Sequence, residues 1–272
     1  MMALYMNQVA TIPTSSVDTH YCQVISSTPL SVNTFKIELH APEGAVLNYQ
    51  AGQYLKLALD LNGEGQLQSL PYSIANSFNP EQPQHLQLFI QSGGDMADKV
   101  LKHLWEQREH CRPIKVQVAQ GYAFLQTNLG FPHLLVAAGS GISKIKCITE
   151  EIIKQRPNAN VHIYWSNKNI DDFYLLDEFQ TWVDKNESLK FVPILEAANT
   201  EWPGRSGYLY EAIEEDFEDL HSTQTYLCGS PQMVYGTIDK LKARRLKEDN
   251  CYSDVFEYAP RNQTNRFKSV KA

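Results

Sequence analysis

The sequence predicts a β-barrel of six antiparallel strands followed by an α/β domain with a parallel sheet of five strands. Residues 21–120 contain six short segments rich in β-branched and aromatic residues, separated by turn signals. After residue 121, strand-like and helix-like segments alternate, which is typical of parallel sheets with right-handed crossovers. The length of 272 residues also exceeds the usual size of one hydrophobic core.

The barrel strands are interrupted by a single helix. In chain order the strand segments are QVISS, TFKIELH, QYLKLALD, PYSIA, HLQLFIQ and IKVQVA. Between the last two, a helix is predicted from about Asp95, because apolar residues from Ala97 to Trp105 repeat at helical spacing. Six short strands with one helix favour a small closed barrel. We assign residues 18–125 to this domain.

The second half alternates strands and helices. Its strand segments are LLVAA, VHIYW, FVPIL, YLC and DVF. Helices are expected at about 143–155, 175–184, 208–215 and 231–247 between them. We assign residues 130–260 to this domain and residues 261–272, which are polar, to a loose tail.

Composition narrows the function classes. The net charge is -7, and the densest basic stretch, from Lys240 to Lys247, is interrupted by apolar residues at helical spacing, which argues against a nucleic-acid partner. No apolar run is long enough to span a membrane and the first residues do not resemble an export signal, so we expect a cytoplasmic protein. The five cysteines are widely separated, so they predict no metal site, iron–sulfur centre or disulfide framework. Electrons would pass through an organic cofactor.

Two glycine turns in the α/β half are candidate nucleotide sites. AAGSGIS lies where the first strand ends and the first helix begins, and LCGSPQMV follows the fourth strand. Such turns let a ligand approach the backbone at a helix N-terminus, although a tight turn without a ligand is an equal alternative. A small buried cysteine and ordinary core packing likewise explain Cys228 and Met233. The candidate residues are Gly139, Ser140, Gly141, Ile142 and Ser143 in the first turn, and Cys228, Gly229, Pro231 and Met233 in the second.

A third candidate site lies in the barrel segment SLPYSIANS, from Ser69 to Ser77. A tyrosine beside a serine can stack on a flat ring and donate a hydrogen bond to it, although the same pair also occurs in ordinary barrel walls. The candidate residues are Pro71, Tyr72, Ser73, Ile74 and Ala75.

Seven motifs occur in an order that resembles the ferredoxin–NADP reductase-like superfamily. They are AGQYL, PYSIAN, AGSGIS, DDFYLLDEF, GRSGYL, LCGSPQMV and YSDVFEY, spread between Cys22 and Tyr258. The chain is most similar to the bacterial NAD(P)H:flavin reductases, including those associated with luciferase. This resemblance implies a flavin-binding barrel, a Rossmann-like NAD(P)-binding domain, and hydride transfer from NADH or NADPH to the flavin.

The resemblance also implies roles for individual residues. Tyr72 and Ser73 correspond to the pair that packs against the flavin ring, with the serine hydroxyl near N5, and Ile74 and Ala75 would offer backbone contacts. The first glycine turn corresponds to the pyrophosphate site, and the second to the turn beside the nicotinamide. Phe256 corresponds to a C-terminal aromatic near the flavin. Ser73 and Cys228 are the catalytic candidates.

Two departures from the family pattern concern the flavin phosphate. Members that hold flavin tightly have an arginine two residues before the tyrosine, where this chain has Leu70, and a serine or threonine at the following helix, where it has Met96 and Ala97. We therefore expect FMN, FAD or riboflavin to bind weakly, as a substrate. A flavoprotein with a protein acceptor and a catalytically decayed binding protein remain alternatives.

The identity of the nicotinamide cofactor and of the electron acceptor is less constrained. After the second α/β strand, Lys168 could meet the extra phosphate of NADPH, but Asp171 and Asp172 follow it. We expect both NADH and NADPH to be accepted, and a flavin-dependent oxygenase or luciferase is a candidate recipient of the reduced flavin.

Overall fold

The computed structural model describes residues 17–261, so the predicted tail lies outside the described residues except for Arg261. Its first sheet is antiparallel and has the strand order β4-β3-β6-β1-β2-β5. The strands are β1 (Asp18–Pro29), β2 (Thr34–His40), β3 (Tyr54–Leu59), β4 (Gln68–Ser73), β5 (His85–Gln91) and β6 (Ile114–Gln120). The six predicted strands are confirmed, but the prediction of a closed barrel is wrong, because the hydrogen-bonded ladder is open between β4 and β5.

The barrel core follows from alternation along the strands. In β3, every second residue is buried, namely Leu55, Leu57 and Leu59, as expected for a strand with one face on a core. Helix α1 (Asp95–Glu109) buries Val100 and Leu101 in the same hydrophobic cluster. The predicted helix therefore covers the barrel interior.

The second sheet is parallel and has the strand order β10-β9-β8-β7-β11-β12. Its strands are β7 (His133–Ala138), β8 (Val161–Asn167), β9 (Leu189–Leu195), β10 (Arg205–Ser206), β11 (Gln224–Cys228) and β12 (Cys251–Tyr252). Its helices are α2 (Ile142–Gln155), α3 (Leu176–Lys185), α4 (Leu209–Asp216), α5 (Pro231–Leu241) and α6 (Val255–Tyr258). The order reverses between β7 and β11, which is where open α/β sheets bind ligands.

The predicted fold class is confirmed, with two local differences in the parallel sheet. The sheet has six strands rather than five, because short strands occupy both of its edges. The segment DVF, expected to be the last strand, instead enters helix α6. The hydroxyl of Ser253 accepts a hydrogen bond from the backbone N–H of Val255, at 3.3 Å, which favours a turn into a helix over an extended chain.

The two sheets occupy residues 18–120 and 133–252, whereas the domain ranges 18–125 and 130–260 stay a prediction about folding units. Helix α2 lies between the sheets and is buried on all sides over its first two turns, from Ile142 to Thr149. A helix without a solvent face belongs to the interior of a protein. No helix within residues 17–261 is long and apolar enough to cross a membrane.

Candidate active site

The two glycine turns lie side by side at the carboxyl edge of the parallel sheet. Strands β7 and β11 are neighbours, and Ala137 pairs with Cys228 at their ends. A methyl group at Gly141 would collide with the backbone carbonyl of Cys228, and one at Gly229 would collide with the end of the Met233 side chain. Glycine is therefore required at position 141, where the obstacle is backbone, whereas at position 229 the flexible end of Met233 could move aside.

Two hydrogen bonds hold the first glycine turn in place, and open space lies beside Gly139. The indole N–H of Trp165 donates to the carbonyl of Gly139 at 2.9 Å, and the hydroxyl of Ser143 donates to the carbonyl of Ser140 at 3.0 Å. Gly139 has a φ of 54°, and a Cβ there would meet nothing within 4 Å. Helix α2 begins at the buried Ile142 without a side-chain cap. The N–H of Ile142 donates to the carbonyls of Gly139 and Ser140. A helix N-terminus that lacks a side-chain cap and lies beside open space fits the pyrophosphate of a dinucleotide.

The second turn leads into α5. The hydroxyl of Ser230 accepts a hydrogen bond from the Met233 N–H at 3.2 Å, and Pro231 occupies the first turn of the helix. The Met233 side chain packs against the core cluster on the α5 side of the sheet. Burial raises the pKa of Cys228 to about 11, so its thiol is protonated at neutral pH. A hydrogen-bond donor or packing contact suits this thiol better than a nucleophile.

The barrel candidates surround the end of β4. Ile74 and Ala75 are buried, Tyr72 and Ser73 are half-buried, and Pro71 is exposed. Burial raises the pKa of Tyr72 to about 12, so its hydroxyl remains a donor. Within residues 17–261, no side-chain hydrogen bond uses the hydroxyl of Tyr72 or of Ser73. Both groups are free to bind a planar heterocycle, as the flavin assignment requires.

The barrel contacts the turn before α6 and the start of that helix beside Ser73. Tyr54 is the register partner of Ser73 across β3 and β4. A methyl group at Gly121 would lie 2.8 Å from the Tyr54 ring and 3.2 Å from Oδ1 of Asp254. The backbone N–H of Tyr122 donates to Glu257 at 2.8 Å. The chain leaving the barrel therefore packs on the turn that precedes α6.

Two residues are candidates for the C-terminal aromatic expected near the flavin, namely Phe256 and Tyr258. Phe256 is half-buried and its ring lies 5.8 Å from that of Tyr235, on α5. Tyr258 is 65% exposed, and its pKa is raised by residual burial and then by the neighbouring Cys228 and Asp254. Tyr258 thus lies near the second glycine turn with a free face, a position that the sequence reasoning did not consider. The only sequence feature that could have pointed to Tyr258 is that it is a second aromatic residue two positions after Phe256.

Two buried lysines were also missed from the sequence. Lys144 is only 1% exposed, and its ammonium lies 2.6 Å from Asp254 and donates to the Ala123 carbonyl at 3.3 Å. Lys146 is 5% exposed and reaches the carbonyl of Ala75 at 3.4 Å. Helix α2 therefore connects the glycine turn with both the flavin candidate strand and the C-terminus.

The phosphate side of the flavin candidate site is unfavourable to anions. Leu70 packs against the barrel core. Helix α1 has Asp95 and Asp98 in its first turn, the backbone N–H of Gly93 already donates to Asp98 at 3.0 Å, and Met96 is 48% exposed. Carboxylates at a helix N-terminus occupy the place that a phosphate would use.

A cavity of ≈ 750 Å³ lies elsewhere, between α1 and the β3–β4 loop. It is lined by both basic and acidic side chains, including Lys102, Glu106 and Asp60, and by none of the predicted site residues. The glycine turns and the end of β4 therefore remain the candidate site.

An antiparallel half-barrel followed by a parallel sheet with two glycine turns at its switch point is the arrangement expected of a nucleotide-dependent oxidoreductase. Residues 135–239 match the model of the oxidoreductase NAD-binding domain. The chain is 28% identical to the NAD(P)H-flavin reductase of Vibrio harveyi over 239 residues, which are 87% of this chain and 98% of that protein.

Two solved structures share the fold. The cytochrome P450 reductase GcoB of Amycolatopsis has a TM-score of 0.74 and 22% identity, with 88% of this chain and 69% of that chain covered. A ferredoxin NADP+ reductase of Neisseria gonorrhoeae with bound FAD and NADP has a TM-score of 0.64 and 20% identity, with 84% and 91% covered. Over most of its length the chain is therefore similar in sequence to NAD(P)H-flavin reductases, and it shares its fold with these two reductase structures.

Proposed function

We propose that this protein is an NAD(P)H:flavin oxidoreductase in which the flavin is a loosely bound substrate. The observation that carries this proposal is the position of helix α2, which begins at the first glycine turn and also contacts Ala75, two residues after Ser73. A nucleotide on the turn and a flavin on the strand would then meet across one rigid helix. The similarity to NAD(P)H-flavin reductases over 87% of the chain supports the same activity.

The chain's own residues would bind and orient the reactants. When bound, the nicotinamide supplies a hydride and the flavin accepts it at N5. The uncapped N-terminus of α2 would hold the pyrophosphate, Tyr72 would pack on the flavin ring, and the Ser73 hydroxyl would donate a hydrogen bond at N5. Because the cofactors carry the electronic change, no general acid or base is required and the contribution of the protein is alignment.

Weak flavin binding follows from the phosphate side of the site. Leu70 offers no charge, and the first turn of α1 presents Asp95 and Asp98 where a phosphate would need donors. The ring would therefore provide most of the binding free energy, and riboflavin, FMN and FAD should bind with similar affinities. A reductase of this kind releases reduced flavin, which a flavin-dependent oxygenase or a luciferase would consume.

The protein would also discriminate little between NADH and NADPH. Lys168 is exposed directly after β8, where it could meet a 2′-phosphate. Asp172 follows it by four residues, and its carboxylate accepts a hydrogen bond from the amide of Asn169 at 2.9 Å. We propose that NADH and NADPH are both used, and that the protein works in the cytoplasm, where these cofactors are found.

The test is absorbance of the purified protein, then oxidation of NADH and NADPH with and without each flavin. We expect a colourless protein whose activity requires added flavin, and affinities for riboflavin and FMN that agree within about threefold, or about 0.7 kcal/mol. Leu70→Arg should tighten FMN binding relative to riboflavin. A yellow protein that keeps its flavin through gel filtration would contradict the substrate assignment, and no oxidation with any flavin would contradict the activity.

A further inference from the structure

One face of helix α2 binds three consecutive backbone residues that follow the flavin candidate strand. The Lys146 ammonium reaches the carbonyl of Ala75 at 3.4 Å, and the Cys147 thiol donates to the carbonyl of Asn76 at 3.0 Å. Glu150 accepts a hydrogen bond from the backbone N–H of Ser77 at 2.7 Å. These three contacts pair backbone polar groups of consecutive residues with one helix, so the relative position of strand and helix is well defined here.

Lys146 is charged although it is buried. Its ammonium pairs with Glu150, one turn along α2, and lies 3.4 Å from the carboxylate of Glu178 on α3. Burial alone would lower the pKa of Lys146, but the two carboxylates outweigh this effect and raise it. A buried ammonium must keep its partners, because a lost partner leaves an uncompensated charge. The contact with the Ala75 carbonyl is therefore held firmly.

The same helix defines the position of the other reactant. Gly141 directly precedes α2, and Lys144, three positions further along, lies in the part of the helix that is buried on all sides from Ile142 onward. Ala75 follows Ser73 by two residues. Any shift of the Ala75 carbonyl relative to α2 would therefore change the distance between the flavin site and the nicotinamide site.

We propose that Lys146 is a positioning residue that sets the separation of the flavin and the nicotinamide through the carbonyl of Ala75. The inference rests on the proposed function, since it assumes that a flavin binds at Ser73 and a nicotinamide beside the glycine turns. It assigns Lys146 no contact with either reactant. Hydride transfer is sensitive to such a distance, because a displacement of about 1 Å can cost about a hundredfold in rate.

The experiment compares Lys146→Met with Lys154→Met. Lys154 lies on the same helix and donates to the carbonyl of Phe78 at 2.8 Å. Its side chain is exposed, and Phe78 is three residues further along the chain from the flavin strand than Ala75 is. Both variants lose one lysine charge and one carbonyl contact. Single-turnover reduction of flavin, the isotope effect with 4-deuterated NADH, flavin affinity and thermal stability are measured for each.

We expect Lys146→Met to slow the hydride-transfer step by about tenfold or more, with a larger isotope effect and a flavin affinity within about threefold of the unmodified protein. Lys154→Met should change none of these beyond about twofold. Lys146→Arg, which retains the charge, should recover part of the rate. Equal losses of rate and flavin affinity in Lys146→Met, or an unchanged hydride-transfer rate, would overturn the proposal.

Hydrogen exchange of the protein without ligands provides an independent readout. In Lys146→Met, the backbone amides of residues 74–77 should exchange faster than in Lys154→Met; equal exchange would overturn the proposal even if no flavin were reduced. If Lys146→Met does not fold, Glu178→Gln removes one partner of the lysine at a partly exposed position, and the same direction of change is expected. Failure of the proposed function would be distinct, because the unmodified protein would then reduce no flavin.

Discussion

Ser73 is the residue on which the proposed chemistry depends most directly. Its hydroxyl has no side-chain partner among the described residues and it ends strand β4. We predict that Ser73→Ala lowers kcat by roughly tenfold, because a donor aimed at a developing charge is lost, and changes flavin affinity by less than about threefold. Steady-state kinetics and flavin titration measure the two effects separately.

The control for this prediction is Ser69→Ala, since Ser69 lies on the same strand and is exposed. It should leave both quantities unchanged. An unchanged kcat in Ser73→Ala would remove the serine hydroxyl from the reaction.

A second residue, His133 in the α/β core, should make the stability of the protein depend on pH. His133 is 1% exposed, and burial lowers its pKa to about 4 from the ordinary 6.5. The unfolded chain therefore binds a proton at a higher pH than the folded protein does. Stability should decrease as pH falls from about 6.5 to about 4, by up to about 3 kcal/mol from this group.

We predict that His133→Leu reduces this acid-induced loss of stability, because the ring nitrogens of His133 have no hydrogen-bond partner among residues 17–261 and leucine is of similar size. Urea unfolding at pH 5 and pH 8 measures the difference. His221→Leu, at an exposed histidine, is the control. An identical pH dependence in His133→Leu and the unmodified protein would contradict the assignment.

At the scale of elements, local sequence patterns were sufficient to predict most of the fold. Alternating burial in β3 and helical spacing in α1 are properties of consecutive residues, and the structure has both elements where the sequence predicted them. The edge strands β10 and β12 are two residues long, too short to produce a periodic signal. The DVF segment has strand-forming residues, but a single local hydrogen bond from Val255 to Ser253 favours the helix instead.

The candidate site was predictable only in part, for a related reason. Glycine turns and the Tyr72-Ser73 pair are contiguous in the sequence and therefore visible in it. The environment of Lys146 is not contiguous, since its partners are the Ala75 carbonyl and Glu178 on another helix. Helical periodicity cannot distinguish a lysine that faces solvent from one that faces a second domain.

The pair between Lys144 and Asp254 connects two elements, helix α2 and the turn before α6. We predict that Asp254→Asn destabilises the protein by about 2 kcal/mol, because a buried ammonium loses its charged partner while Asp254 itself is partly solvated. The C-terminal turn should also become more accessible. Chemical unfolding, and hydrogen exchange of residues 252–258, would measure these effects.

The control is Glu106→Gln, which removes the exposed pair between Lys102 and Glu106 within α1. A loss below about 0.5 kcal/mol is expected there. Similar losses in both variants would mean that the Lys144–Asp254 contact is no stronger than a surface pair.

At the scale of the whole molecule, one hydrophobic cluster spans both halves. Ala51, Ala75 and Phe89 from the barrel half belong to the same buried cluster as α2 and the parallel sheet. The Phe89 ring lies 5.9 Å from that of Tyr174 in an edge-to-face arrangement. Because neither half can separate without exposing this cluster, we predict that the protein unfolds in a single transition despite its two sheets.

Two tryptophans make this prediction measurable. Trp105 lies on α1, where its indole donates to Ser27 at 2.7 Å, and Trp165 is fully buried beneath the first glycine turn. In variants that keep only one of them, with the others changed to phenylalanine, the urea midpoints reported by the two probes should coincide. Distinct midpoints in this background would show that the halves are independent folding units.

Phe89→Ala should then separate the two midpoints, since it removes an apolar contact between the halves at a cost of about 3 kcal/mol or more. Leu57→Ala is the matched control, because Leu57 is fully buried in the barrel cluster alone. It should lower the stability without separating the probes. If both substitutions merely shift one shared midpoint, coupling between the halves depends on the polar contacts of α2 rather than on the shared core.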